Sequence, residues 1–278
     1  MTFGWLESIL FGLFSGIVEI LPVSGRAHNA LLLKILGADR FHSLLFLMIR
    51  LAVMAAIYVS FQKQIVKVMR AINLASIPKK RRKRPLDVKS LKDFALWRRM
   101  SLPVVILFLF YGKFSQLDYS QLWIAILMFL NGIILYLPRF FATGNKDSRT
   151  ITRLEGFLMG LGGSMAVLPG ISGTAASLSV ASVCGVERKY ALTMVLLMNF
   201  VVNLCFAVYD VIVLIGGGIG TLGLILILKF LAAAVAAFVG TLLGIRLMKF
   251  LAEGAGYTAF AFYSWGLALF IFILNLIA

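Results

Sequence analysis

Two short stretches, LPVSG at residues 21–25 and LPGISG at residues 168–173, interrupt hydrophobic segments at matching places in the two halves of this chain. Each contains Leu-Pro, followed after one or two residues by Ser-Gly. Proline lacks a backbone N–H and glycine adds backbone freedom, so both residues end helices. Inside a bilayer, the polar backbone groups at such a break must face protein or a water-filled cavity. The paired interruptions therefore predict a binding site where they meet.

The composition is that of an integral membrane protein. The chain has 278 residues, of which 61% are hydrophobic, and its mean hydropathy is +0.98. Several apolar runs reach the roughly 20 residues that a helix needs to cross a bilayer. The first apolar stretch lacks a basic start and contains Glu7 and Glu19, so we expect it to be mature structure and not a cleaved signal peptide.

These runs predict an all-α polytopic membrane protein with six transmembrane helices and two re-entrant helical hairpins. The spans are predicted at residues 43–61, 99–113, 121–138, 190–214, 222–245 and 257–277. The hairpins are predicted at residues 8–36 and 156–183, because neither half of a broken segment is long enough to cross alone.

The charge distribution predicts the topology. Thirteen of the 27 lysines and arginines lie between Lys63 and Arg99, so the loop 62–98 is expected to be cytoplasmic and both termini to lie outside. The two hairpins then open from opposite sides of the membrane. We therefore expect one membrane domain built from two repeats of inverted topology, residues 1–140 and 141–278.

The basic loop has three interpretations. It fits the ordinary excess of positive charge on cytoplasmic loops, and the same charges would attract anionic lipid head groups. Nucleic-acid binding is disfavoured, because the loop lacks interleaved aromatic residues and lies between membrane spans. We therefore expect membrane lipids and no nucleic acid as partners.

Four polar side chains surround the first break: Glu19, Ser24, Arg26 and His28. A carboxylate near the bilayer centre is costly, so it is usually paired or functional. The alternative is a polar cluster that only stabilises the kink. Because four different polar groups converge where the fold should have a cavity, we favour the functional interpretation.

The helices that restart after the two breaks also favour an anionic ligand. Their first turns, near Ala27 and Thr174, have free N–H groups and a partial positive charge. Such termini bind phosphate readily. If the breaks face each other, two positive helix ends converge with Arg26, and phosphate or pyrophosphate fits well. Arg50 lies inside a predicted span and can reach a phosphate, whereas Asp210 is near a span end and is expected to be solvated.

At these residues the chain resembles the bacterial undecaprenyl-pyrophosphate phosphatase family of the bacitracin-resistance type. The first motif of that family, (E/Q)-x-x-x-E-x-x-P-x-S-S-T-G-H, aligns with SGIVEILPVSGRAH at residues 15–28. The second, P-G-x-S-R-S, aligns with PGISGT at residues 169–174. The likeness covers most of the chain and implies a multi-pass protein of the bacterial inner (plasma) membrane.

The resemblance implies roles for individual residues. It carries the catalytic residues over to Glu19, Ser24 and His28, with Glu19 as general base or as ligand of Mg²⁺ or Ca²⁺, and His28 transferring a proton or attacking phosphorus. The candidate phosphate-binding residues are Arg26, Arg50, Ser172, Gly173 and Thr174. The structural breaks are Pro22, Gly25, Pro169 and Gly170.

Three positions depart from the family motifs. Ser15, Gly25 and Gly173 stand where the family has an acidic or amide residue, a second serine and an arginine. Arg26 replaces the threonine of the first motif. Our hypothesis is that Arg26 supplies the missing cation from the opposite hairpin.

The resemblance implies an enzyme that removes the terminal phosphate of a polyprenyl pyrophosphate and so recycles the lipid carrier of peptidoglycan synthesis. The alternative is a catalytically depleted relative that translocates polyprenyl phosphate without hydrolysis, because inverted repeats with broken helices are typical of transporters. A membrane scaffold is disfavoured, because it would give Glu19, Arg26 and His28 no function. The sequence does not decide whether the protein forms a homodimer.

Overall fold

The computed structural model describes residues 4–36, 42–115, 120–217, 223–254 and 256–277. The described residues form α-helices joined by short turns, without a β-strand, which confirms the all-α prediction. The helices are α1 (Trp5–Ile20), α2 (Gly25–Ile35), α3 (Ser43–Ser76), α4 (Val88–Phe108), α5 (Tyr111–Ser115), α6 (Gln121–Tyr136), α7 (Arg153–Ser164), α8 (Gly173–Val183), α9 (Arg188–Gly217), α10 (Leu224–Glu253) and α11 (Ala259–Ile277).

Five helices in the described part of the chain are long and apolar enough to cross a membrane: α3, α6 with its following turn, α9, α10 and α11. They match five of the six predicted spans. The remaining prediction, 99–113, differs from the structure because α4 begins eleven residues earlier, at Val88, and ends at Phe108. Its first half is basic and only its second half is apolar. The count of six spans and the re-entry of the broken segments stay predictions.

The basic segment 62–98 is mostly helical, where the sequence predicts a loop. Helix α3 continues to Ser76 and α4 begins at Val88, so only residues 77–87 connect the two helices. The backbone of Phe61 departs from helical geometry (φ −120°, ψ 15°), which marks the predicted end of the apolar span. Lysine and arginine are good helix formers, so the helix resumes once it has become charged.

The two breaks fall where the sequence predicts them, and a serine caps each new helix. At the first break, the Ser24 hydroxyl accepts a hydrogen bond from the Ala27 N–H, 3.4 Å away, at the start of α2. At the second, the Ser172 hydroxyl accepts from the Ala175 N–H at 3.2 Å. Serine is a preferred N-cap because its oxygen satisfies a free N–H of the first turn. We call residues 21–24 the first corner and residues 165–172 the second corner.

The contacts between helices repeat in the two halves. Helix α1 packs along α10 and α7 packs along α4, while α3 packs against α9 and α6 against α11. A Cβ at Gly12 of α1 would overlap the Ala233 carbonyl, and one at Gly160 of α7 would overlap the Met100 carbonyl. Small residues let helix backbones approach closely in membranes. The division into two repeats, 1–140 and 141–278, stays a prediction.

Candidate functional site

The two corners are in direct contact. The Ser24 hydroxyl oxygen accepts a hydrogen bond from the Gly170 N–H at 2.9 Å, so one side chain both caps α2 and holds the second corner. Gly170 has a φ of +118°, a conformation that glycine adopts far more readily than other residues. The two interruptions that the sequence singled out therefore form one junction.

Asn131 of α6 ties both corners to the same side chain. Its Nδ2 donates to the Pro22 carbonyl at 3.3 Å and to the Ser264 hydroxyl at 3.2 Å. Its Oδ1 accepts from the Ser172 N–H at 2.9 Å. Asn131 is fully buried, and the sequence reasoning missed it. The signal that would have found it is an amide inside an otherwise apolar span, since such groups usually bond across helices.

Replacing Asn131 with leucine is expected to destabilise the junction. The substitution leaves the Pro22 carbonyl and the Ser172 N–H without their partner, and each buried unpaired group costs about 1–3 kcal/mol. The expected result is a clearly lowered unfolding temperature of the purified protein in detergent. Asn73→Leu, at an exposed position of α3, is the matched control and should leave that temperature nearly unchanged. Equal unfolding temperatures for the two variants would contradict the role of Asn131.

A small cavity of about 30 Å³ lies at the junction. Its wall includes the predicted site residues Glu19, Ser24, Gly25, Arg26, Ser172, Gly173 and Thr174, and α9 contributes Asn199, Val202 and Phe206. A cavity of this size accommodates water-sized groups. Entry of a phosphate group therefore requires the corners or α9 to move apart.

Glu19 lies in the last turn of α1, with its carboxylate against Gly25. A Cβ added at Gly25 would lie 2.8 Å from Oε2 of Glu19. The carboxylate thus uses space that glycine leaves open at this departure from the family motif. Arg26 and Arg50 both attract this carboxylate electrostatically. Glu19 is the only acidic residue among the described residues of the cavity wall.

Arg26 belongs to the first turn of α2, but its side chain reaches the second corner. Its Nη1 donates a hydrogen bond to the Val167 carbonyl, and its guanidinium carbon lies 5.2 Å from the ring centroid of Tyr111 and 5.8 Å from that of Phe206. At Gly173, where the family motif has arginine, a Cβ would overlap the Gly163 carbonyl. The second corner therefore has no room for its own side chain at residue 173, and Arg26 brings a cation to it.

The guanidinium of Arg50 packs against the ring of Phe206, which belongs to the cavity wall. Its guanidinium carbon lies 4.3 Å from the centroid of that ring, and its Nε donates to Oδ2 of Asp210 at 2.6 Å. The side chains of Arg50 and Asp210 are only 15% and 12% exposed. The expectation that Asp210 is solvated was therefore wrong: the paired arginine compensates the burial of its charge. Arg50 does not line the cavity as the structure shows it.

His28 is bound on both ring nitrogens and does not line the cavity. Nδ1 lies 2.7 Å from the Ser24 carbonyl, which can only accept, so Nδ1 carries a proton. Nε2 lies 2.8 Å from the hydroxyl of Tyr263 in α11, and the two rings stack. The structure therefore places His28 behind the first corner, where it holds Ser24 in place. A catalytic role for His28 stays a prediction.

A chain of amides extends from the second corner along α9. Asn199 Nδ2 donates to the Thr174 hydroxyl at 2.8 Å, which leaves the Thr174 proton available to a ligand. Asn203 Nδ2 donates to the Asn199 carbonyl at 3.0 Å, while the buried Oδ1 of Asn203 has no hydrogen-bond partner among the described residues. Among the described residues, no cluster of three or more His, Cys, Asp or Glu side chains could hold a metal ion by itself.

The fold and the site define a class: a polytopic helical membrane protein with a small hydroxyl-lined cavity, containing Glu19 and Arg26, where two broken helices meet. The chain belongs to the bacitracin resistance protein BacA family, whose model matches residues 8–270. This confirms the resemblance seen in the motifs.

Curated relatives match over nearly their whole length. Undecaprenyl-diphosphatase 1 of Shouchella clausii is 25% identical over 272 residues, covering 96% of this chain and 95% of the relative. The undecaprenyl-diphosphatase of Methanobrevibacter smithii is 26% identical over 274 residues, covering 96% of each chain. That of Carboxydothermus hydrogenoformans is 25% identical over 270 residues, covering 97% of each.

Proposed function

We propose that this protein is a membrane undecaprenyl-diphosphatase that removes the terminal phosphate of undecaprenyl diphosphate and so recycles a cell-wall lipid carrier. The observation that carries the proposal is the junction of the two corners, which gathers Glu19, Arg26 and the start of α8 around one cavity. The family and the names of the relatives agree with it. The same names favour hydrolysis over translocation without hydrolysis.

The residues of the second corner and Arg26 would bind the diphosphate. The first turn of α8 begins at Gly173, and helix starts attract anions through their N–H groups and dipole. The hydroxyl protons of Ser172 and Thr174 can donate to phosphate oxygens. Arg26 would neutralise charge at the same place, and Arg50 would join it if phosphate displaced Asp210. Charge-assisted hydrogen bonds of this kind are the strong ones.

Glu19 would act as the general base. It would take a proton from a water molecule whose oxygen attacks the terminal phosphorus, while the bond from that phosphorus to the bridging oxygen breaks and undecaprenyl phosphate leaves. Ser24 would donate its hydroxyl proton to the phosphoryl group, since its oxygen already accepts from Gly170. Arg26 would stabilise the negative charge of the transition state, which usually dominates such transfers. A direct role for His28 would require its ring to leave Ser24 and Tyr263.

We also propose that hydrolysis uses Mg²⁺ or Ca²⁺. Both ions take oxygen ligands, and Mg²⁺ is commonly held by one or two carboxylates together with substrate phosphates. Glu19 would supply the carboxylate, and the unpartnered Oδ1 of Asn203 is a further oxygen close by. The ion would withdraw charge from the phosphoryl oxygens.

Phosphate release from undecaprenyl diphosphate by the purified protein in detergent tests the proposal. The expected result is one phosphate and one undecaprenyl phosphate per substrate, with loss of release in EDTA and recovery with excess Mg²⁺ or Ca²⁺. Tight binding of undecaprenyl phosphate without any release of phosphate, with or without metal, would contradict it and support translocation.

We further propose that the protein lies in a bacterial plasma membrane with the basic segment 62–98 in the cytoplasm and both termini outside. The excess of lysine and arginine in that segment supports this orientation. Labelling a cysteine introduced at exposed Lys80 from one side of sealed vesicles would test it.

A further inference from the structure

A second and larger cavity, of about 550 Å³, lies away from the candidate site. It opens between α3 on both sides of the kink at Phe61, the first half of α4 and the first half of α9. It shares no lining residue with the site at the corners. Most of its wall is apolar, with Ile65, Ile72, Trp97 and Phe200 among the lining residues. We call this cavity the α3–α4 groove. Its size and lining suit a hydrocarbon chain.

Two lysines lie at the polar edge of the α3–α4 groove. Lys67 comes from α3 and Lys89 from the first turn of α4, and their side chains are 65% and 51% exposed. Each forms an exposed ion pair with one acidic neighbour: Lys67 Nζ lies 3.4 Å from Asp87 Oδ2, and Lys89 Nζ lies 4.0 Å from Asp147 Oδ2. Exposed pairs of this kind contribute little to stability, because water and salt screen them.

Both acidic neighbours have closer partners. Asp87 caps α4 and accepts from the N–H and the hydroxyl of Ser90 at 3.1 and 2.8 Å, and these bonds lower the pKa of its carboxyl group. Arg149 Nε donates to Asp147 Oδ2 at 2.9 Å, which lowers the pKa of Asp147. The two lysines can therefore turn to another anion without leaving a carboxylate unpaired.

The surroundings of the α3–α4 groove are strongly basic. Between Lys63 and Arg99, thirteen lysines and arginines face only two acidic residues, Asp87 and Asp93. Asp93 lines the groove but is already bonded to Tyr190 and Ser148. Trp97, whose indole N–H donates to the Leu197 carbonyl, is of the type that prefers the membrane–water interface. An apolar groove with a cationic edge at this level complements an anionic amphiphile.

We infer that the α3–α4 groove binds one anionic diacyl phospholipid, with an acyl chain inside the groove and the phosphate between Lys67 and Lys89. The observation is the juxtaposition of a chain-sized apolar cavity with two loosely paired ammonium groups. The inference does not depend on hydrolysis at the corners. Each cation near a membrane surface strengthens the binding of anionic lipid by about 5-fold.

Native mass spectrometry of the protein in detergent, titrated with phosphatidylglycerol or phosphatidylcholine, tests this inference. We expect the first phosphatidylglycerol to bind at least about 10-fold more tightly than phosphatidylcholine. The double variant Lys67→Gln/Lys89→Gln should weaken that binding by about 30-fold. The matched control Lys79→Gln/Lys80→Gln removes the same charge from an exposed turn outside the groove and should change it less than about 3-fold.

Val68→Trp provides a second variant, because it fills the apolar part of the α3–α4 groove without changing the charge. It should also weaken phosphatidylglycerol binding. Equal weakening by the control pair would overturn the inference in favour of diffuse attraction. Equal binding of phosphatidylcholine, or no effect of Val68→Trp, would overturn it as well. Displacement of phosphatidylglycerol by undecaprenyl phosphate would also overturn it, because the groove would then belong to the path of the substrate. Phosphate release is not a readout, so this outcome is separate from that of the proposed function.

Discussion

Glu19→Gln is expected to lower the rate of phosphate release from undecaprenyl diphosphate by at least about 100-fold, the usual contribution of a general base. Glutamine keeps the size of the side chain, so the space against Gly25 stays filled. It also removes a negative charge that Arg26 and Arg50 now share. Binding of undecaprenyl diphosphate should therefore persist or tighten while turnover is lost.

The measurements are steady-state phosphate release at saturating Mg²⁺ and the Kd for the substrate in EDTA, where turnover stops and metal binding by Glu19 does not contribute. Glu253→Gln is the control, because that exposed carboxylate pairs with Lys189 at the surface and is not among the described residues of the cavity wall. We expect it to retain wild-type activity. If Glu19→Gln retained more than about half of the wild-type turnover, Glu19 would not be the base.

Arg26→Ala is expected to lower phosphate release by about 100-fold or more, the size seen when one preorganised donor to a transition state is removed. Arg26 is the only cation among the described residues of the cavity wall, and it reaches the second corner at the Val167 carbonyl. Arg26→Lys keeps the charge but not the planar fork, so it should recover only part of the activity.

The same variant also loses a bond to the second corner, so stability needs its own measurement. We expect the unfolding temperature in detergent to fall slightly in Arg26→Ala, with the rate constant falling much more. Arg139→Ala, on an exposed turn after α6, is the matched control and should keep both values. Wild-type turnover in Arg26→Ala would show that the phosphate is held without this guanidinium.

The sequence was informative where structure is determined locally. Pro22 and Pro169 break the helices through their own backbone. The hydroxyls of Ser24 and Ser172 accept from N–H groups only three residues further along the chain. These effects depend on neighbours in the chain, so the breaks and the new helix starts could be predicted. The serine and glycine spacing could not show that the Ser24 hydroxyl also accepts from Gly170, 146 residues away.

Contacts between distant helices were beyond the sequence. Asn131 was overlooked because its role depends on α6 passing beside both corners. Asp210 was misjudged because its partner, Arg50, is 160 residues away on α3. Pairing of this kind is a property of helix packing, and hydropathy gives only the apolar background in which a polar residue needs a partner.

The basic segment 62–98 shows a different limit. Its charge predicts a loop, but charged residues also form helices outside the hydrocarbon core. The structure extends α3 to Ser76 and begins α4 at Val88, and this extension creates the α3–α4 groove.

For the departures from the family motifs, the sequence identified Gly173 as a lost arginine, and the structure adds that the Gly163 carbonyl leaves no room for one.

A double-mutant cycle between the two corners tests most directly whether they bind one phosphate together. The variants are Arg26→Ala at the start of α2 and Thr174→Val at the start of α8. The measured quantity is the Kd for undecaprenyl phosphate, which needs no turnover. Both residues line the cavity at the junction, so their effects should be coupled by at least about 0.5 kcal/mol. Effects that add to within about 0.3 kcal/mol would mean that the two residues act at separate places, which would contradict a shared site.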